Sequence, residues 1–251
     1  MSGLRINFHK SEVMTVGVTQ EEQQLVANML NCKLGSFPFM YLGLPISDRA
    51  LVVSDWEPLG LKVGKRANPW LGKFLSSAAR LILTNACLSS LPMHAMGVFL
   101  LGDGVHQVFN KHRSRFYWEG SGTKRKYHWV HWDAVCKPKC LGGLGIVDTK
   151  LMNIRLMAKW IWRLYAAEQG LWADILHNKY LQTKGLLVDS HQSGSQFWNA
   201  IQKIKPLFGL GARHRVRSGT STRLWVDWWQ GRGPLKADPL FSGPRPGGLG
   251  G

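Results

Sequence analysis

The chain has 251 residues, of which 45% are hydrophobic and 19% charged, enough apolar material for a packed core and too much for a disordered chain. Its 32 basic and 15 acidic residues give a formal charge of +17, which points to a polyanionic partner, because Lys and Arg release counterions on meeting phosphates; an acidic membrane surface is the other candidate. Four cysteines behind a polar, charged start suit free thiols in a reducing intracellular compartment, nucleus or cytoplasm, rather than a secreted disulfide scaffold.

Residues 5–16 alternate weakly between Gly3 and Gly17, which predicts a strand. Thr19 with Glu22 three residues on is a capping box, and Leu25, Val26, Met29 and Leu30 keep helical spacing, so a helix is predicted over 20–31. The aromatic-rich run 37–46 reads as a short strand and turn. Ser54 or Asp55 can cap a helix from Trp56, but Gly60 and Gly64 each weaken it by about 1 kcal/mol relative to Ala, and Pro69 is expected to end it. Leu71, Leu75, Ala78, Ile82 and Ala86 share one face and predict a helix over 71–90.

The stretch 81–102 has no formal charge and is long enough to span a bilayer. Thr84, Asn85, Ser89, Ser90, Pro92 and His94 within it favour a buried helix ending near Pro92, so no membrane contact is expected. Further helices are predicted over 104–117, from an Asp148 cap through Tyr165, around Leu171, Trp172, Ile175 and Leu176, and around Phe197, Ile201 and Ile204 up to Pro206. Residues 213–217 and 222–228 flank a Ser-Gly-Thr-Ser hairpin signal, and the Gly- and Pro-rich end from 242 is expected to be disordered.

The fold class is therefore mostly α, within α+β. Residues 1–50 form a small strand and hairpin region, 51–181 a helical region, 182–236 a connector with a short helix and β-hairpin, and 237–251 a disordered tail.

Catalytic chemistry finds no support. Glu21-Glu22 is the one adjacent acidic pair, and it suits a helix start. His128, His131, Cys136 and Cys140 are zinc-competent types, but their spacing is not a standard finger. Two strand-borne histidines followed by a Cys-Pro turn is the plainer reading, and no metal ligand is assigned. Gly142-Gly143-Leu144-Gly145 lacks a phosphate-binding spacing and reads as a turn into the Asp148 helix.

The signal lies in cations interleaved with rings. Lys111, Arg113 and Arg115 precede Phe116-Tyr117-Trp118, and Lys124-Arg125-Lys126 precedes Tyr127 and Trp129. Arg155, Lys159 and Arg163, four apart, form one helical stripe. Such groups bind phosphates, and exposed rings stack on unpaired bases.

Ser2-Gly3-Leu4-Arg5-Ile6-Asn7 with Lys10-Ser11, Tyr41-Leu42-Gly43-Leu44-Pro45, Trp129-Val130-His131-Trp132 with Cys136-Lys137-Pro138-Lys139, Gly142-Gly143-Leu144-Gly145-Ile146 and Leu224-Trp225-Val226-Asp227-Trp228-Trp229 occur in that order. Together they resemble the reverse transcriptase of plant LINE-type (non-LTR) retrotransposons. The resemblance implies that the chain starts at the end of the palm, after the metal-binding aspartates. It implies that residues 39–43 match the primer grip, adding Phe39, Tyr41 and Gly43 as nucleic-acid contacts, and that the helices after residue 54 match the thumb. Gly60, Gly64 and Pro69 depart from the family, which presents a continuous helix there. The expected function is that of a truncated, inactive fragment of an RNA-directed DNA polymerase that binds RNA or RNA–DNA duplex. It needs no small-molecule substrate and no cofactor, since Mg²⁺ would belong to the palm. The alternative is a structural or interaction module with no nucleic-acid role.

Overall fold

A computed structural model describes residues 7–8, 11–71, 75–119, 127–181 and 194–211. The predicted hairpin at 213–228, the tail and Lys124-Arg125-Lys126 lie outside the described residues. Of the described residues, helix accounts for 63% and strand for 6%, the mostly α class that the periodicities imply. The chain divides into two compact units, residues 1–97 with 101–152, and residues 98–100 with 153–251.

The first unit begins with β1 (Glu12–Val13) and β2 (Lys33–Leu34), a parallel pair joined through α1 (Gln20–Met29). The strand predicted over 5–16 thus narrows to two residues among those described. The capping box forms as expected: Glu22 N–H donates to Thr19 Oγ1, and Thr19 N–H donates to Glu22 Oε2 at 2.9 Å. Ala27 is the one fully buried side chain of α1, while Leu25, Met29 and Leu30 stay exposed. β3 (Phe39–Tyr41) and β4 (Leu44–Ile46) form an antiparallel hairpin. Its two turn residues, Leu42 and Gly43, have φ of 50° and 81°, the doubly positive pattern that matches the twist of the strands.

A 3₁₀ turn at Val53–Trp56 leads into α2 (Glu57–Leu71). Neither Ser54 nor Asp55 is the cap. Asp55 instead reaches back to accept from Val52 N–H at 2.9 Å and pairs with Arg49 at 3.0 Å. α2 runs unbroken through Gly60 and Gly64 and two residues past Pro69, which contradicts the break expected there. The reason is its partner, α5 (Asp103–Glu119). A Cβ on Gly60 would come within 2.7 Å of Val108 Cγ1, and one on Gly64 within 2.9 Å of His112 Cε1. Leu59, Val63 and Ala67 of α2 are buried, as are Val105, Phe109 and Phe116 of α5. The glycines let two backbones approach, and that packing outweighs their poor propensity. Gly60→Ala is therefore expected to lower stability by about 1–3 kcal/mol, although propensity alone would raise it by about 1 kcal/mol. A thermal melt followed by circular dichroism decides between the two signs.

The helix predicted over 71–90 starts later. Leu71 closes α2, and α3 (Ser77–Leu83) is capped by Ser76, whose Oγ accepts from Ala79 N–H. α3 ends in a π-turn over Thr84–Leu88, closed by Ser89 N–H donating to Thr84 O at 2.9 Å. α4 (Met93–Met96) follows, and after α5 come α6 (Trp132–Cys136) and a 3₁₀ turn at Lys139–Leu141. The glycine run is the turn expected of it. Gly142 and Gly145 have φ of 80° and 69°, and a Cβ on Gly143 would fall on the Lys137 carbonyl. Asn85 clamps the exit, donating to Gly145 O at 3.2 Å and accepting from Val147 N–H at 3.0 Å.

α7 (Thr149–Tyr165) begins at the predicted cap: Asp148 Oδ1 accepts from Lys150 and Leu151 N–H groups at 2.8 and 3.2 Å. In the second unit, Met157 and Ile161 of α7 pack with Leu176 of α8 (Leu171–Leu176) and with Trp198, Ile201 and Ile204 of α9 (Gln196–Gly211). Tyr180 lies flat on Trp198, with ring centroids 4.5 Å apart. α9 continues past Pro206, against expectation. A proline removes a single N–H bond, and the buried row Trp198, Ile201, Ile204 holds the helix regardless. Among the described residues no helix is long and apolar enough to cross a membrane.

Candidate nucleic-acid interface

Phe39 is half-buried in the hairpin, Tyr41 is exposed and Gly43 sits in its turn. On α5, Lys111 and Arg115 are exposed, Arg115 pairing with Glu119 at 2.9 Å. Arg113 is fully buried, so its assignment to a phosphate-facing surface is corrected. Its guanidinium donates to Asn110 Oδ1 at 2.9 Å, Ser89 Oγ at 2.9 Å and Val147 O at 2.6 Å. Burial pushes its pKa down to about 10. Arg113 is thus an internal clamp joining α5 to the π-turn and to the strap before α7. A periodicity reading treats a cation as outward-facing and has no way to see this.

In the α7 stripe, Arg155 and Lys159 are exposed. Arg163 is committed elsewhere. It lies 4.8 Å from the Trp160 ring centroid and 4.5 Å from that of Trp172, and it pairs with Glu168 at 2.5 Å. The hydrogen bond with Glu168 raises the Arg163 pKa and lowers that of the carboxylate.

A stronger basic site lies where the sequence reading expected a failing helix. Lys62, Lys65 and Arg66 of α2, all exposed, line a cleft of about 500 Å³ with Ala86, Cys87, Ser90 and Leu91. Among the described residues no acidic side chain lines it. The spacing i, i+3, i+4 within the helix predicted from Trp56 is legible as one helical face.

A second cleft, of about 440 Å³, is aromatic: Tyr117 and Trp118 from the end of α5, Tyr127 and Trp129 from the segment before α6, and Ser77 and Arg80 from α3. His128 stacks on Trp118, with centroids 5.9 Å apart and planes 23° from parallel. His131 occupies the N-cap position of α6 without a side-chain cap bond, and His128 lies in the irregular segment before it, so the expected strand-borne histidines are corrected. Burial pushes the Cys136 thiol up to about 11. Among the described residues no three His, Cys, Asp or Glu side chains gather as metal ligands would.

Two imidazoles, His106 buried and His112 half-buried, set a pH response. His106 lies 3.0 Å from Thr149 Oγ1, and burial holds its pKa below the free value of 6.5, with Lys150 adding to the shift and Asp103 and Asp148 opposing it. His112, against Gly64, is lowered by burial and then by Lys111 and Arg115. Below pH 6.5 the unfolded chain takes up protons that the folded one resists, so stability falls as pH drops through that window. Urea midpoints at about pH 7.5 and about pH 5.5 should differ in that sense, and His106→Gln should shrink the difference.

The chain is similar to two plant proteins. It is 35% identical, over 209 residues or 81% of its length, to an Arabidopsis thaliana protein named "Putative ribonuclease H protein". The matched part is 33% of that relative, so the chain spans about a third of its length. It is 28% identical over 142 residues to an "Uncharacterized mitochondrial protein" of the same plant, 56% of this chain and 92% of that relative. No protein-family model and no solved structure matches.

Proposed function

We propose that this chain is a retrotransposon-derived piece of a reverse transcriptase that grips RNA or RNA–DNA duplex and carries out no polymerisation itself. The observation that carries the reading is the α2 cleft. Lys62, Lys65 and Arg66 lie on one exposed face of α2 and line it together, a cluster of like charges that suits a phosphate strand. The ordered landmarks that resemble plant LINE-type polymerases supply the family, and the ribonuclease name of one relative supports a nucleic-acid setting.

The test is a salt titration of binding to an RNA–DNA duplex. Affinity should fall steeply with salt, and the triple variant Lys62→Glu, Lys65→Glu, Arg66→Glu should bind about a hundredfold more weakly, with a slope reduced by about 2–3. A flat salt response in the unaltered protein would sink the reading. It would favour the second one, an interaction module, which rests on the exposed apolar side chains Leu25, Met29 and Leu30 of α1. Primer extension with Mg²⁺ should stay at background.

A further inference from the structure

The aromatic cleft asks for a different ligand from the basic one. Tyr127 and Trp129 are each 80% exposed. Large rings are seldom left this open on a soluble protein, and clustered ones mark interaction sites. The two rings meet edge to face, 6.0 Å apart and 84° between planes, so each keeps a face open. Tyr117 and Trp118, 4.9 Å apart, line the same cleft. The volume of about 440 Å³ is that of a small-ligand site.

The polar character of the wall is one-sided. The Arg80 guanidinium donates to Leu75 O and to Ser77 Oγ. Open π-faces beside this guanidinium suit a flat ring that stacks on them. In a chain of charge +17, a ring carried on a phosphate strand arrives at the highest local concentration.

We propose that this cleft, residues Ser77, Arg80, Tyr117, Trp118, Tyr127 and Trp129, captures an unpaired base of a bound single strand. The inference rests on the nucleic-acid reading above and deepens it. The α2 cleft holds phosphate and is indifferent to pairing, whereas the aromatic cleft requires a base free of its duplex.

The test compares a uridine-rich single-stranded RNA with a fully paired duplex of equal length at one salt concentration. The double variant Tyr127→Ala, Trp129→Ala removes exposed rings, and its melt should match that of the unaltered protein. Single-strand affinity should drop roughly tenfold or more, duplex affinity should hold, and the salt slope should not change, since no phosphate contact is lost. Trp129→Phe should restore most of the loss. With 5-bromouridine in the strand, photo-crosslinks in the unaltered protein should map to Tyr127, Trp129, Tyr117 or Trp118. An unchanged single-strand affinity, an equal loss on duplex, or crosslinks confined to other residues each overturns the inference while leaving the polyanion reading in place. An unaltered protein that binds neither strand form at low salt removes both.

Discussion

Arg113→Ala should cost about 4 kcal/mol or more, lowering the melting temperature by about 10 °C or more. Arg113 is fully buried and joins three elements through Asn110, Ser89 and Val147. Truncation leaves a cavity and strips a charged donor from three acceptors, each such bond contributing about 1.5–3 kcal/mol. The opposing term is real. Burial has already depressed the guanidinium pKa to about 10, so removing the charge recovers a few kcal/mol of desolvation. The balance predicts a graded series. Arg113→Met keeps volume and sheds the charge, and should lose only about 1–2 kcal/mol. Arg113→Lys should not rescue, because an ammonium lacks the planar fork that reaches three acceptors at once. Equal losses for Met and Ala would show that the hydrogen bonds, not the volume, dominate.

Gly143→Ala should be the most damaging single-methyl change in the described residues. The added Cβ would meet Lys137 backbone, 2.7 Å from its Cα and closer still to its carbonyl. Backbone does not yield as a side-chain tip does, so the turn itself must move. The turn is tied by Leu144 N–H donating to Val135 O at 2.9 Å and Gly145 N–H donating to Lys137 O at 3.0 Å. Moving it drags Ile146 out of its core with Tyr117 and Val135, and Val147 away from Arg113. A loss of about 3 kcal/mol or more follows. Gly142→Ala is the control. Its φ of 80° strains an alanine, but nothing lies within 4 Å of the new Cβ, so about 1 kcal/mol is expected. Paired melts of the two variants separate lack of space from backbone strain.

These positions also show what a sequence makes legible. The Thr19–Glu22 box, the Asp148 cap and the α5 periodicity are local, because each is settled by residues within a few positions of one another. Gly60 and Gly64 are not local. Alone they read as breakers; only Val108 and His112, on a helix some fifty residues away, turn them into contact points. Pro69 and Pro206 likewise sit in helices held by side chains elsewhere. Arg113 carries a surface label by chemistry and a core position by topology. Lys62, Lys65 and Arg66 lie inside the helix predicted from Trp56, and their i, i+3, i+4 spacing is a local signal too. Lys111, Arg115, Arg155 and Lys159 are exposed, as their helical spacing opposite an apolar face predicts.

The exposed side of α1 and the short parallel pair β1–β2 bear on how the protein behaves as a colloid. Leu25, Met29 and Leu30, with Leu42 of the hairpin turn, offer an adhesive surface, and among the described residues no third strand covers the outer edges of the β1–β2 pair. At low ionic strength a charge of +17 keeps molecules apart. The reach of that repulsion shrinks from about 10 Å at 0.1 M salt to about 3 Å at 1 M. Salt added to strip nucleic acid from a preparation therefore also removes the barrier to self-association, and a bound polyanion does the same by neutralisation. Solubility and release from nucleic acid pull in opposite directions in this molecule, and α1 is the element that sets the conflict.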